Sequence, residues 1–318
     1  MKQEYTIIRN TGSSYIARAD SDGSEYKCLV KGNFRIKGIR TTNPVAVGDR
    51  VHLSAPGPDG ISYIEDVLPR RNYIIRRASN LSKAAHIIAA NIDCAVLVAT
   101  LVHPPTSFTF IDRFLSTAEA YGVEALIVFN KADLLADDPD DREFLKSALY
   151  LYHTIGYKAI AVSAHTGEGL DELRSLLKDK ISLLSGNSGV GKTTLINALI
   201  PGLDLRTAEI SSVHDTGMHT TTFSEMYPLP DGGDIIDTPG VRGFGVYDFE
   251  RDMVSHYFPE IFRESTDCRF DNCTHTHEPG CAVLAAVADH RIAESRYNSY
   301  LSILEETSSP GDKYRKGY

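Results

Sequence analysis

The chain has 318 residues, of which 42% are hydrophobic, and this is long enough for two or three domains with ordinary cores. No run of eighteen apolar residues is present, and the start, MKQEYTIIRN, lacks the basic and then apolar order of a signal peptide. The sequence therefore predicts neither membrane insertion nor export, and a cytoplasmic location is expected.

The formal net charge of −9 is spread unevenly along the chain. Residues 1–87 contain 14 Lys and Arg against 8 Asp and Glu, a net charge of +6, so the remainder carries −15. A basic segment on an acidic protein is a candidate surface for a nucleic-acid backbone. Ordinary solvated charged faces give the same pattern and remain an alternative.

Residues 1–70 predict a small β-barrel. The strand-like runs, separated by Gly, Pro, Asn and Asp turns, are YTIIRN, SYIARA, YKCLVK, FRIKGI, DRVHLS and ISYIEDVL. We predict a barrel of the oligonucleotide-binding (OB) type, with an SH3-like barrel as the alternative. Arg35, Lys37 and Arg40 alternate with isoleucines, which would place basic and apolar side chains on different faces.

Residues 71–244 predict a central α/β domain. The stretch 71–90 is compatible with a basic helix, and the acidic stretch 136–142 with a charged insertion or a helix start. Strands and amphipathic helices then alternate through DCAVLVAT, FTFIDRFLSTAEAYG, EALIVFN, REFLKSALYLYHTIG, KAIAVSA, GLDELRSLL and KISLLSG. This order is typical of a parallel sheet covered by helices.

A phosphate-binding loop lies between the last of these strands and the predicted helix KTTLINALI. Its letters, GNSGVGKT, fit G-x-x-x-x-G-K-[ST]. Glycines let backbone N–H groups face phosphates, Lys192 neutralises the terminal phosphates, and the Thr193 hydroxyl can ligate magnesium. The predicted phosphate-binding residues are Gly186, Asn187, Ser188, Gly189, Val190, Gly191, Lys192, Thr193 and Thr194.

Two further segments predict that the base is guanine. The carboxylate of Asp133, in the letters NKAD, can accept hydrogen bonds from the guanine N1–H and exocyclic amine, a donor pair that adenine lacks. Asn130 would join this segment to the phosphate loop, and the Lys131 stem would cover the base. A backbone donor for the guanine carbonyl comes from Ser163-Ala164. A capped strand-to-helix turn can give NKAD alone, so the prediction depends on all the segments together: Asn130, Lys131, Ala132, Asp133, Ser163 and Ala164.

Magnesium and the γ-phosphate are assigned to segments downstream of the loop. Asp237, in DTPG, is placed to hold magnesium through water, and the Gly240 N–H to sense the γ-phosphate. In HTTT, Thr221 is preferred over Thr220 as the hydroxyl that closes over the metal, and a Thr-rich turn is the alternative. The predicted magnesium ligands are Thr193, Thr221 and Asp237.

The residue that usually orients the attacking water is missing. Many GTPases have a glutamine after the switch glycine, but this chain has Val241, which forms no side-chain hydrogen bond, so intrinsic turnover should be slow. His219 is predicted to position the water, with packing as its alternative role, and Arg242 is a weaker candidate for stabilising charge. The predicted catalytic residues are His219, Thr221 and Lys192.

The segment 245–318 contains a cysteine and histidine cluster followed by a helix-like region. Cys268, Cys273, Cys281 and one histidine supply three thiolates and an imidazole, a set that suits a closed, structural zinc site. Both His275 and His277 have suitable spacing. The other two of the five cysteines, Cys28 and Cys94, lie in strand-like runs and are expected to be buried thiols.

The base-reading segments precede the phosphate-reading segments, which reverses the usual order and indicates a circular permutation. The order of barrel, NKAD, SA, GNSGVGKTT, HTTT, DTPGVRGFG and a Cys/His cluster with EPGC resembles the ribosome small subunit-dependent GTPase A family over nearly the whole chain. This resemblance implies a GTPase that binds 16S ribosomal RNA, assists late maturation of the small (30S) ribosomal subunit and is stimulated by the ribosome. It also favours His275 as the zinc ligand, and the family has a histidine at the position of His219.

Two other functions fit parts of the sequence. A small-molecule kinase would use the phosphate loop, but the guanine and magnesium motifs all serve one nucleotide. An RNA-binding scaffold could hold GTP without hydrolysing it. No coiled-coil repeat is present, so a monomer is expected. Because 211–245 leads directly into the carboxyl-terminal segment, loss of the γ-phosphate is expected to reorient the metal-binding domain.

Overall fold

The structure of the chain is a computed structural model that describes residues 2–12, 14–30, 44–77, 85–205, 224–237 and 249–307. Its first five strands are β1 (Tyr5–Asn10), β2 (Tyr15–Ala19), β3 (Glu25–Val30), β4 (Arg50–Leu53) and β5 (Ser62–Val67). They pair in the order β1-β2-β3-β5-β4, and β4 pairs back to β1, so the sheet closes and the predicted barrel is confirmed. Arg35, Lys37 and Arg40 lie outside the described residues.

Alternate side chains fill the barrel interior. On β2, Tyr15, Ala17 and Ala19 are buried and the residues between them are partly exposed, the period of two expected of a strand. Cys28 on β3 and Cys94 in the central sheet are buried free thiols, and burial raises the pKa of each to about 12. The prediction that both are buried is therefore confirmed.

The described residues of the stretch 71–90 form two paired strands, so the expectation of a helix was wrong. Its strands, β6 (Tyr73–Arg77) and β7 (Ala85–Ala90), pair antiparallel, with Ile75 opposite Ile87. The stretch is rich in isoleucine, whose branched side chain is favoured on a pleated surface and restricted in a helix. Pairing between the two strands therefore decided the secondary structure, and the spacing of the basic residues did not distinguish a strand from a helix.

The central sheet confirms the predicted parallel architecture. Its elements are β8 (Cys94–Ala99), α1 (Phe108–Tyr121), β9 (Glu124–Phe129), a 3₁₀ helix (Ala132–Leu135), α2 (Pro139–Ile155), β10 (Lys158–Ala161), α3 (Leu170–Leu177), β11 (Ile181–Ser185), α4 (Lys192–Leu199), β12 (Glu225–Pro228) and β13 (Asp234–Asp237). The strands pair in the order β10-β9-β8-β11-β13-β12, and all neighbours are parallel except β12 and β13. The carboxyl ends of the parallel strands therefore share one edge of the sheet.

The acidic stretch before α2 is a helix start. The Asp138 side chain accepts hydrogen bonds from the backbone N–H groups of Asp140 and Asp141, and Pro139 occupies the first helical position. A capping aspartate followed by proline and further acidic residues suits the positive end of a helix. These charges therefore serve the local structure of the chain.

The described carboxyl-terminal residues form four helices, and the first and last of them pack against α1. They are a 3₁₀ helix (Arg251–Tyr257), α5 (Pro259–Ser265), α6 (Ala282–Ala288) and α7 (Glu294–Thr307). The helix-like region after the cluster is thus two helices, and His290 has a left-handed backbone conformation (φ 59°) in the turn between them. Among the described residues, no helix combines the length and the apolar character needed to cross a membrane.

Candidate functional site

The phosphate loop connects β11 to α4, and two of its glycines are required by close approach. Gly186 and Gly191 have φ values of 145° and 91°. A Cβ on Gly186 would lie 2.2 Å from the Val98 carbonyl oxygen, and one on Gly191 would lie 2.5 Å from the Asn130 side-chain nitrogen. Only glycine therefore lets the loop pack against β8 and against the NKAD segment.

The Lys192 side chain folds back over the phosphate loop. Its Nζ donates to the backbone oxygens of Gly186 at 2.6 Å and Asn187 at 2.8 Å. Burial lowers the pKa of Lys192, and the negative charge of Asp237 partly offsets this effect. A phosphate in the loop would also favour the charged ammonium, so this lysine can neutralise a bound anion.

Asn130 joins three sequence segments. Its Nδ2 donates to the Val190 carbonyl in the phosphate loop at 2.8 Å, and its Oδ1 accepts from the Ala164 N–H at 3.1 Å. The residue is buried, and its own N–H donates to the Ala99 carbonyl at 2.8 Å. One side chain thus brings NKAD, SA and the phosphate loop together, although they lie far apart in the chain.

Asp133 presents an unsatisfied acceptor beside this junction. Its Oδ1 is buried without a hydrogen-bond partner. A buried carboxylate oxygen without a donor is costly, and the N1–H and amine of guanine would supply donors. The Ala164 N–H, assigned from the sequence to the guanine carbonyl, is already bonded to Asn130, so guanine would have to share it. Ser163 is buried, and its hydroxyl accepts from the Thr166 N–H at 3.0 Å.

A segment that sequence reasoning missed borders the loop. The Lys131 Nζ donates to the Gly189 carbonyl at 2.8 Å and to the His103 carbonyl. A Cβ on Gly189 would lie 3.4 Å from Pro104. Residues 100–107 thus form a wall of the site. One signal could have found them, because they follow β8 at the edge of the sheet where ligands bind.

Two of the three magnesium candidates, Thr193 and Asp237, lie among the described residues. Thr193 lies in the first turn of α4, after β11, and Asp237 ends the neighbouring strand β13, where it is buried. Hydroxyl and carboxylate oxygens are the ligands that magnesium prefers. Asp237 is the strand partner of Leu184, two residues before Gly186, so it lies beside the start of the phosphate loop. Outside the described residues lie His219, Thr220, Thr221, Gly240, Val241 and Arg242.

The cysteine and histidine cluster is assembled. One potential ligand atom from each of Cys268, Cys273, His275 and Cys281 lies within 4.8 Å of the others. The His275 Nδ1 is 3.6 Å from the Cys268 sulfur and 3.5 Å from the Cys281 sulfur. His277 is exposed, and its Nδ1 is 2.8 Å from the Thr276 hydroxyl. The structure therefore selects His275 for a site that can hold a metal ion.

Glu278 organises the backbone around His275 and was not foreseen. Its carboxylate accepts from the N–H groups of Thr274 at 2.7 Å, Thr276 at 3.0 Å and His277 at 3.1 Å. Burial acts to raise the pKa of Glu278, but the bonds from Thr274 and the backbone N–H groups outweigh it and hold this pKa well below its usual range. The ionised carboxylate thus fixes the loop that carries His275.

Comparisons of the sequence with a family model and with known proteins all match RsgA GTPases. A family model described as RsgA GTPase matches residues 67–247. The protein called small ribosomal subunit biogenesis GTPase RsgA in Porphyromonas gingivalis is 58% identical over 316 residues, which cover 98% of this chain and 99% of that protein. The protein of the same name in Bacteroides fragilis is 56% identical over 312 residues, with coverage of 98% and 99%.

Two solved structures have the same fold. The crystal structure of YjeQ from Thermotoga maritima matches with a TM-score of 0.78 and 33% identity, covering 98% of this chain and all of that chain. YloQ, described as a circularly permuted GTPase, matches with a TM-score of 0.74 and 28% identity, and the coverage is 98% and 96%.

Proposed function

Because this chain belongs to the RsgA GTPase family, we propose that it hydrolyses GTP to GDP and phosphate during biogenesis of the small ribosomal subunit. The observation that carries the proposal is the junction made by Asn130. Its side chain bonds both Val190 in the phosphate loop and Ala164 beside the base-reading segment. One nucleotide can therefore span the two segments, with guanine at Asp133 and phosphates at Lys192.

Magnesium and the water are assigned to the phosphate end of the site. Thr193, Thr221 and Asp237 would hold magnesium, which when bound neutralises charge on the β- and γ-phosphates. The Lys192 ammonium would stabilise the same charge from inside the loop. His219 would orient the attacking water, since Val241 cannot, and Gly240 would sense the γ-phosphate. Intrinsic turnover is then slow, and the ribosome accelerates it.

The flanking parts are assigned to partners and to stability. The basic amino-terminal barrel would contact 16S ribosomal RNA on the 30S subunit, and the chain would act as a cytoplasmic monomer. Residues 1–70, 71–244 and 245–318 would form the RNA-binding, GTPase and metal-binding domains. The metal would be one structural zinc ion, because three thiolates and one imidazole leave no position for water.

GTP turnover measured with and without purified small subunits tests this function. We expect slow release of phosphate from GTP alone, a marked increase with small subunits and no increase with large subunits as the matched control. ATP in place of GTP should give no stimulated turnover. If GTP binds but no turnover occurs even with small subunits, the protein is an RNA-binding scaffold and the proposal is wrong.

A further inference from the structure

The β12–β13 hairpin follows the segment that contains two of the predicted catalytic residues, and it ends at a candidate magnesium ligand. Residues 206–223, before β12, contain His219 and Thr221, and β13 ends at Asp237, the candidate magnesium ligand. The hairpin strands pair antiparallel, with Glu225 opposite Asp237 at one end and Pro228 opposite Asp234 at the other. The position of this hairpin therefore determines where Asp237 lies.

A barrel arginine binds the hairpin at the end opposite to Asp237. Arg18 on β2 donates from both terminal nitrogens to the Asp234 carboxylate, each at 2.8 Å, and one nitrogen also lies 3.9 Å from the Met226 sulfur. The Arg18 and Asp234 side chains are only 25% and 13% exposed. A two-pronged bond of this kind fixes orientation as well as distance, because the planar guanidinium matches the carboxylate.

A second barrel arginine lies at the other end of the hairpin, where Glu225 faces Asp237. Arg9 on β1 lies opposite Glu225 and forms an ion pair with it, and the Asn10 N–H donates to the Ser224 carbonyl at 3.4 Å. Glu225 is also the cross-strand partner of Asp237. Two carboxylates directly opposite each other repel, so the positive charge of Arg9 reduces the repulsion that would displace Asp237.

The contact between the barrel and the hairpin is also apolar. Ile8 on β1 and Met226 on β12 are buried in the same hydrophobic core, and Ile16 on β2 packs against that core. Val47, before β4, belongs to this core as well. The barrel and the nucleotide-binding sheet thus share packing and backbone pairing, and a close-packed interface transmits displacement from one to the other.

We propose that Arg18 and Arg9 are positioning residues for GTP hydrolysis. Through these two arginines the barrel holds the β12–β13 hairpin, and with it Asp237, in the position that hydrolysis needs. The inference rests on the proposed function, because it assigns these residues to the same reaction. Arg18 acts through Asp234 and Arg9 through Glu225. Neither residue needs to touch the nucleotide.

The test compares Arg18→Ala with Arg50→Ala at a saturating concentration of small subunits. Arg50 is the matched control, because it is a barrel arginine whose ion pairs are with Glu4 and Asp20, two other residues of the amino-terminal barrel, and not with the hairpin. We expect Arg18→Ala to lower kcat roughly tenfold, to leave the KM for GTP within about twofold, and to raise the magnesium concentration needed for half-maximal turnover. Arg50→Ala should change none of these values.

A charge-swapped variant distinguishes positioning from general damage to the fold. Arg18→Asp combined with Asp234→Arg restores an ion pair in the reverse direction, and we expect it to recover most of the lost kcat. Equal kcat in Arg18→Ala and the Arg50→Ala control would overturn the inference. A loss that the swapped pair does not restore, with the thermal midpoint of the swapped variant unchanged, would overturn it too.

Amide hydrogen exchange separates this inference from the proposed function. In GDP-bound protein, the amides of residues 225–237 should exchange faster in Arg18→Ala than in Arg50→Ala, and this measurement does not need hydrolysis. If wild-type protein shows no GTP turnover, the proposed function fails. If exchange in the hairpin is the same in both variants, Arg18 does not hold the hairpin and the inference fails by itself.

Discussion

Arg296 on α7 donates a hydrogen bond of 2.8 Å to Asp112 on α1, and both side chains are buried. Its Nε also donates to Glu260 on α5 at 2.6 Å, and the Tyr152 hydroxyl donates to Asp112 at 2.9 Å. This network attaches the part of the chain that carries the cysteine and histidine cluster to α1, a helix that packs on the central sheet. The same helix follows residues 100–107, which border the phosphate loop.

Loss of Arg296 should destabilise the protein strongly. In Arg296→Met, two buried carboxylates lose their counter-ion, so we expect the free energy of unfolding to fall by about 3 to 5 kcal/mol. The matched control is Arg113→Met, which breaks the exposed pair between Arg113 and Glu306 on the same two helices. That change should cost no more than about 1 kcal/mol. Chemical denaturation measures both, and equal losses would contradict the prediction.

Replacement of Asp133 should change the base that is bound. In Asp133→Asn an amide nitrogen can face the guanine donors, so we expect the Kd for GTP to rise about 100-fold or more. Xanthosine triphosphate carries an oxygen in place of the amine and should recover much of that affinity. Titration with fluorescent nucleotides measures this. Asp137→Asn, at an exposed site shortly after the 3₁₀ helix that contains Asp133, is the control, and a similar Kd in both variants would refute the assignment.

Glu278 should matter for metal binding although it is not a ligand. Glu278→Gln weakens the bonds that hold the backbone on either side of His275, and we expect metal affinity to fall about 10- to 100-fold. Competition with a chelator measures the affinity for zinc. His277→Ala removes the neighbouring exposed histidine and should have no effect. Purified wild-type protein without stoichiometric zinc would defeat the assignment of the metal itself.

His219 should be needed for turnover and not for binding. In His219→Ala we expect unchanged affinity for GTP and a loss of at least about tenfold in kcat with small subunits, because the water is no longer oriented. His290→Ala, in the exposed turn between α6 and α7, serves as the control. Stimulated kcat equal to that of wild type would remove His219 from the mechanism.

The hypothesis that loss of the γ-phosphate reorients the metal-binding part stays a prediction. The Arg296 network anchors that part to α1, so any such movement would have to carry α1 or rearrange these buried bonds. Small-angle scattering of the GDP-bound and GTP-analogue-bound forms measures the movement. Matching profiles would count heavily against it.

The sequence by itself determined the elements whose signals are local. The phosphate loop from Gly186 to Gly191 lies between a strand and a helix that begins at Lys192, because glycines, lysine and flanking apolar periodicity specify that turn within a few residues. The alternation of apolar runs with amphipathic helices specified the parallel sheet for the same reason. Burial of Cys28 and Cys94 followed from the apolar strands that contain them.

The motifs predicted that Asn130 meets the phosphate loop, and the structure has that contact. For side chains outside the motifs, only the tertiary structure decided which ones meet. The strands Tyr73–Arg77 and Ala85–Ala90 formed through cross-strand pairs such as Ile75 with Ile87. The distance of His275 to the sulfurs decided between two histidines that spacing alone had left open, and it agrees with the family resemblance. The contact of Arg18 with Asp234 joins positions 216 residues apart. Such contacts depend on how whole elements pack. The attraction between an arginine and a carboxylate depends on their distance in space and not on their separation along the chain. Spacing along the sequence therefore carries no signal for them.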